Sequence, residues 1–140
     1  FWLGMLGIDA EYRACHVRSD ELADYFAARR KDPLWRGCNV TIPHKASALQ
    51  FAPKLDCSAA SVGAANCIVP QDEGFLAINT DVDGVAEAIG SLDNGNVVVI
   101  GAGGAARAAF HQLAPLTSIR VAVLARSTDK AKLAVGECGV

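Results

Sequence analysis

Val97-Val98-Val99-Ile100-Gly101-Ala102-Gly103-Gly104-Ala105-Ala106-Arg107 is an apolar run that breaks at a cluster of glycines and resumes as an alanine-rich segment. The pattern predicts a strand over 96–100, a turn over 101–104 and a helix over 105–113. After Asn96 the strand is wholly apolar, as expected of a parallel strand covered on both faces. The turn has the spacing GxGxxA. Gly101 allows a tight exit from the strand, Gly103 lets the backbone approach a pyrophosphate, and Ala106 is small enough to keep helix and strand close. The free N–H groups at the helix start would receive the phosphates. Alone, this spacing also suits a tight turn that binds nothing. A strand before it and a helix after it are the context that a dinucleotide-binding turn requires. Gly101, Ala102, Gly103, Gly104 and Ala105 are therefore the candidate cofactor-binding residues of the turn.

Downstream, residues 119–124 read as a second strand and a further helix starts near Ser127. This βαβα order is the opening half of a doubly wound sheet. NAD-preferring sites carry an acid about 20 residues beyond the turn, bonded to the ribose 2′-hydroxyl. Here the strand is followed by Ala125-Arg126-Ser127-Thr128, with no acid. A guanidinium and hydroxyls pair with a 2′-phosphate, which an acid would repel. Arg126 and Ser127 thus point to NADP, although Arg126 also fits an ordinary exposed loop. Arg107 either reaches a phosphate or faces solvent from its helix.

Upstream, apolar and amphipathic stretches alternate, the mark of an α/β layered fold. Residues 1–7 resemble a helix end stopped by glycine, and 12–17 a short strand. Ser19 is placed to cap a helix in which Leu22, Tyr25 and Phe26 share a face. Residues 37–42 read as a buried strand, with a helix able to begin at Pro43. A short helix over 56–62 follows, then strands over 64–69 and 74–78 joined by a turn at Pro70-Gln71-Asp72-Glu73, then a helix over 81–89. Three segments put polar residues at the ends of apolar strands: Cys38-Asn39-Val40-Thr41-Ile42-Pro43-His44-Lys45, Gly63-Ala64-Ala65-Asn66-Cys67-Ile68 and Ile78-Asn79-Thr80-Asp81-Val82-Asp83-Gly84. Strand ends are where open α/β sheets bind ligands, though each segment alone could be a turn.

The 140 residues are 51% hydrophobic and 20% charged, with net charge −2. That balance is globular and gives no electrostatic case for nucleic acid or an anionic membrane surface. No apolar run approaches the roughly 20 residues that span a bilayer. The chain does not open with methionine and is read as part of a longer one. Its five cysteines are scattered and odd in number, which points to reduced thiols and a cytoplasmic location. The three dispersed histidines offer no metal site.

Taken together, the three polar segments and the Gly101-Ala102-Gly103-Gly104-Ala105-Ala106-Arg107 turn resemble, in order and over nearly the whole chain, the shikimate dehydrogenase family. The resemblance implies a substrate-binding α/β domain over residues 1–80, followed from 81 to 140 by the first half of a Rossmann-type NADP-binding domain, with the active site in the cleft between them. It implies reversible NADPH-dependent reduction of 3-dehydroshikimate to shikimate, on the route through chorismate to aromatic amino acids. A homodimer is left open as the assembly. By position, Lys45 matches the family's catalytic lysine and Asp81 its partner aspartate; Thr41, Asn66 and more loosely Asn39 match residues that contact or shape the substrate site. The residue types suit the chemistry. A carbonyl oxygen that becomes alkoxide-like needs a positioned proton donor, which an ammonium supplies, while the carboxylate holds lysine and substrate in register. Without the resemblance, Lys45 could be a solvated first-turn lysine and Asp81 a helix cap. His44 is not expected to act, and Asp83 should point away from Asp81.

The chain departs from the family at Cys67, where threonine is usual, and at Ala125, where asparagine commonly precedes the arginine. The family's carboxylate-binding serine pair and its late glutamine are expected to lie outside this stretch. Two rival readings remain: an NAD-dependent quinate/shikimate dehydrogenase, and a non-catalytic paralogue that only binds ligand.

Overall fold

The computed structural model describes residues 2–139. Its two sheets have different logic. The first has the strand order β1-β3-β4-β2, with β1 Cys38–Asn39, β2 Lys54–Leu55, β3 Cys67–Gln71 and β4 Gly74–Ile78. β1 and β3 are antiparallel, as are β3 and β4, whereas β2 runs parallel to β4. The carboxyl ends of β1, β2 and β4 and the amino end of β3 therefore share one edge. Asn39 and Asn66 lie at that edge, and Asp81 follows it at the start of the next helix.

This sheet is covered by α2 (Leu22–Arg29) and a 3₁₀ turn, Ser47–Phe51. Leu22 and Phe26 are buried with Ala48, Ile68, Phe75 and Ala77. Phe26 stacks on Phe51 at 5.0 Å between ring centroids and meets Phe75 at 5.6 Å. Burial of one such ring is worth about 1.5–3 kcal/mol, so this aromatic cluster anchors the layer.

In the second sheet β5 (Gly95–Ile100) and β6 (Ile119–Leu124) pair in parallel, Ile100 opposite Leu124. α5 (Gly104–Leu113) is the crossover and α6 (Thr128–Cys138) follows β6. Buried Phe110, Ala134 and Cys138 pack with Val99 and Val123 on one face. The other face is open, with Val98 56% and Ile100 83% exposed. The expectation that β5 is covered on both faces is thus corrected. Its apolar residues suit two layers, and among the described residues helices supply one. Between the sheets, α3 (Cys57–Val62) and α4 (Asp81–Ile89) pack on α5 through a cluster of small side chains, Val62, Ala64, Val82 and Ala108. This joint brings the glycine turn close to the polar edge of the first sheet.

Several local expectations change. α1 is Trp2–Met5, followed by Gly7 at φ 65°; Phe1 lies outside the described residues. No strand forms over 12–17. β-propensity is realised only with a pairing partner, and here the Tyr12 hydroxyl, donating to Asn39 Oδ1 at 2.7 Å, links the segment to the sheet edge instead. Ser19 does not cap α2. The Glu21 carboxylate reaches back to the Arg18 N–H at 2.9 Å, which turns the chain first and delays the regular helix to Leu22.

The strand expected over 37–42 is only β1, and no helix begins at Pro43. Residues 42–46 form turns, across a cis Ile42–Pro43 peptide, before the 3₁₀ turn. The reason lies in the neighbouring chain: Val40 N–H bonds Asn66 O at 2.8 Å and Ala65 N–H bonds Lys45 O at 2.7 Å. Residues 41–44 are pinched out between those two bonds. The β3–β4 turn is also shorter than expected. Gln71 pairs with Gly74, leaving only Asp72-Glu73 as the loop. Pro70 stays in the ladder opposite Phe75, at a non-hydrogen-bonded pair where its missing N–H faces away from β4.

Candidate active site

Asp81 opens α4, and its carboxylate is held by two different elements. Lys45 Nζ donates to Oδ2 at 2.6 Å and Asn66 Nδ2 donates to Oδ1 at 2.9 Å. The lysine and aspartate side chains are 20% and 25% exposed, so the pair is sheltered yet reachable. A carboxylate in the first turn of a helix also sits favourably at the positive end of the macrodipole. Asn66 clamps the same stretch from both sides: its amide donates to Thr80 Oγ1 at 2.9 Å and its Oδ1 accepts from Thr80 N–H at 3.0 Å. Asn39 Nδ2 donates to Asn66 O at 3.5 Å. Thr41 is exposed on the pinched loop beside Lys45.

Beneath this constellation lies Asn79, the one buried polar residue among those described. Its Oδ1 accepts from Asp81 N–H at 3.0 Å, its Nδ2 donates to Ala64 O at 2.8 Å, and its N–H donates to Ser58 Oγ at 2.9 Å. Ser58 in turn donates from Oγ to Asp56 Oδ1 at 2.6 Å, and its N–H bonds the same oxygen at 2.9 Å. Asp56 is the N-cap of α3, and these bonds lower its carboxyl below the ordinary value. A buried amide left unbonded is costly; here every group of Asn79 has a partner. Sequence reading passed over Asn79, Ser58 and Tyr12. For Asn79 a signal existed, since an asparagine two residues before a helix-opening N–H is a side-chain turn former. The contacts of Ser58 and Tyr12 span 21 and 27 residues, and no local pattern announces them.

The glycine turn lies at the carboxyl ends of β5 and β6, tied there by Gly101 N–H to Leu124 O at 2.8 Å. Gly101 has φ 117°, a conformation open to few residues but glycine. At Gly103 an added Cβ would meet nothing within 4 Å, so the approach to the helix start is clear. Ala102 and Ala105 flank it, with Ala105 exposed on the first turn of α5. Arg126 is exposed, two residues past the end of β6 at Leu124. Ser127 caps α6, its Oγ accepting from Lys130 N–H at 3.4 Å.

Lys45 bridges the two halves of the site. Its stem runs so close to Gly104 that a Cβ there would stand 2.8 Å from Lys45 Cδ. The proton-donor candidate thus touches the residue that opens α5. Arg107 does neither thing expected of it. Its side chain is 13% exposed, donates to Val62 O at 3.2 Å and pairs with Glu137 at 2.5 Å. The carbonyl at the end of α3 and a carboxylate on α6 take up its charge, so it serves the joint rather than a phosphate. His44 Nε2 lies 2.7 Å from Val17 O, a structural contact, and Asp83 is exposed on α4.

A hollow of about 370 Å³ lined by Ile89, Leu92, Gln112, Pro115 and Leu116 lies at the far ends of α4 and α5, away from this chemistry. Among the described residues no three His, Cys, Asp or Glu side chains group as metal ligands, and no helix is long and apolar enough to cross a membrane.

Known proteins resemble this chain in sequence and in fold. The sequence profile of the shikimate dehydrogenase substrate binding domain matches residues 2–68. The NADP(+) shikimate dehydrogenase of Sphingopyxis alaskensis is 46% identical over 134 residues, which is 94% of this chain and 49% of that protein. The crystal structure of Mycobacterium tuberculosis shikimate dehydrogenase superposes with a TM-score of 0.79 at 38% identity, covering 97% of this chain and 52% of that one. The shikimate 5-dehydrogenase of Thermus thermophilus, solved with NADP(H) and shikimate, gives 0.79 at 29% identity, covering 99% and 53%. The chain spans about half the length of the relatives it matches. In sequence and fold alike, the chain is similar to shikimate dehydrogenases over about half of their length.

Proposed function

We propose that the full-length protein carrying this chain is a shikimate dehydrogenase, reversibly reducing 3-dehydroshikimate to shikimate with NADPH in the supply of chorismate and aromatic amino acids. In this reading residues 1–80 belong to the substrate-binding domain and 81–140 open the NADP-binding domain. The observation that carries it is the Lys45–Asp81 pair: two side chains from separate strand ends, 2.6 Å apart and partly sheltered, with the lysine stem against the dinucleotide turn.

The turn fits the cofactor: Gly101 makes the bend, the clear space at Gly103 admits a pyrophosphate, and the first N–H groups of α5 face it. Gly101, Ala102, Gly103, Gly104 and Ala105 would hold the phosphates, and Arg126 with Ser127 the 2′-phosphate. When bound, NADPH supplies the hydride. Lys45 then serves as the proton donor. An ammonium has three N–H groups; one is committed to Asp81, leaving two for the substrate oxygen. In the reverse direction the neutral amine takes the proton back. Asp81 keeps the lysine aimed and accepts from a substrate hydroxyl, while Asn66, Asn39 and Thr41 shape the wall around the ring. The five free thiols support a reducing, cytoplasmic setting, and the low net charge supports small-molecule rather than nucleic-acid or membrane partners. A homodimer is the assembly proposed.

The test is absorbance at the nicotinamide band with full-length protein, shikimate and NADP. Turnover is expected. A folded protein that shows none is the non-catalytic paralogue instead, and turnover with NAD alone would discard the NADP assignment.

A further inference from the structure

We propose that Gly104 is a positioning residue for Lys45: its missing side chain is the slot in which the lysine stem lies. The proposal rests on the reading of Lys45 as proton donor and adds to it a residue so far counted only with the cofactor. The glycines of the turn have different reasons to be glycine. Gly101 needs its positive φ. Gly103 is extended, at φ −88° and ψ −170°, and faces open space. Gly104 is the first residue of α5 and has no left-handed backbone to accommodate. Helix propensity alone would favour alanine there.

What excludes alanine is the lysine. A Cβ on Gly104 would stand 2.8 Å from Lys45 Cδ, 3.6 Å from its Cβ and 3.8 Å from its Cγ. The whole stem runs along the gap. Nor can the stem swing aside freely. Its backbone carbonyl accepts from Ala65 N–H at 2.7 Å, and its ammonium is held by Asp81 at 2.6 Å. A methyl group at position 104 must therefore displace the Lys45 stem between these two anchors, and the strain falls on the ammonium's bond to Asp81. The first turn of the cofactor helix and the geometry of the proton donor are mechanically one unit.

The experiment compares full-length wild type with Gly104→Ala. Expected is a fall in kcat of about 10- to 100-fold, the usual scale for a small misplacement of a reacting group. kcat is read at saturating NADPH, so that any loss of phosphate contacts at the turn, followed separately by fluorescence titration, does not enter it. An unchanged kcat at saturating NADPH overturns the proposal. A second readout needs no turnover: the rate at which an N-hydroxysuccinimide ester acylates Lys45, followed by peptide mass spectrometry without cofactor. Gly104→Ala should raise that rate several-fold, and an unchanged rate overturns the proposal even if shikimate is not a substrate. Absent turnover in the wild type would instead defeat the functional reading alone. If the substitution lowers the thermal midpoint, repeating it in a Lys45→Ala background, where Cδ is gone, should abolish the loss. Persistence of the loss there places the clash elsewhere and ends the argument.

Discussion

The polar edge around Asp81 and the glycine turn after β5 are both cradles at strand ends, but they are made of opposite materials. Around Asp81 the cradle is side chains that already bond one another: Lys45, Asn66 and Asn79 fix the carboxylate and the backbone beneath it. At the turn the cradle is backbone, kept bare by glycine, and Arg126 follows exposed after the neighbouring strand β6. The first is organised by its own side-chain bonds, which is what transition-state stabilisation rewards. The second offers N–H groups and space, which suits a phosphate common to many proteins. Single side-chain changes should therefore damage chemistry at the first cradle and affinity at the second.

The largest effect should come from Lys45→Met, which keeps the stem and removes the donor. In full-length protein kcat should fall roughly 10²- to 10⁴-fold, with NADPH affinity nearly unchanged. Steady-state rates at the nicotinamide band check this, and a loss of only a few fold would remove the lysine from the chemistry. Next in size, Arg126→Ala should weaken NADPH about 10- to 100-fold, the worth of a charge-assisted hydrogen bond, while kcat at saturation holds. An unchanged preference for NADP over NAD would break the contrast between the cradles at its weaker side.

The same difference in material decided what could be read in the chain. The turn was legible because its signal is local: Gly101, Gly103 and Ala106 sit in a short window between an apolar strand and an alanine-rich helix. The α4 and α6 helices were legible for the same reason. The Lys45–Asp81 pair spans 36 residues, and spacing alone could not have joined it; the family resemblance did. Non-local competition also explains the misreadings. Residues 12–17 have the composition of a strand but no ladder to join. The stretch after β1 loses its strand to the two bonds with Ala65 and Asn66. Arg107 offered either a phosphate contact or a solvent-facing position, and Glu137, 30 residues on, pairs with it instead.

Smaller again is the effect of removing what lies under the first cradle. Asn79→Ala leaves Asp81 N–H, Ala64 O and the surrounding cavity without their partner, and a buried group so orphaned costs about 1–3 kcal/mol. Chemical denaturation should show that loss. Activity should fall with it, because Asp81 loses the bond that fixes its backbone. Full stability in Asn79→Ala would mean that the cradle is held by Lys45 and Asn66 alone.

The smallest expected effect is one of pH, and it separates the support from the site. Bonds from the Ser58 hydroxyl and then the Ser58 N–H hold Asp56 below its ordinary value of 3.8. A carboxylate whose folded value is depressed adds stability that is complete above the unfolded value and is lost as pH falls through the folded one. In Asp56→Asn that contribution is absent, so its thermal midpoint should decline less than that of wild type as pH is lowered from about 5 toward 3. Ser58 remains as the acceptor for Asn79 N–H in the variant, so turnover at neutral pH should be nearly that of wild type. Parallel acid profiles for the two proteins would show that Asp56 is a cap without charge linkage. A collapse of neutral turnover would show that the bonding chain from α3 to Asp81 carries more of the catalytic geometry than its individual bonds suggest.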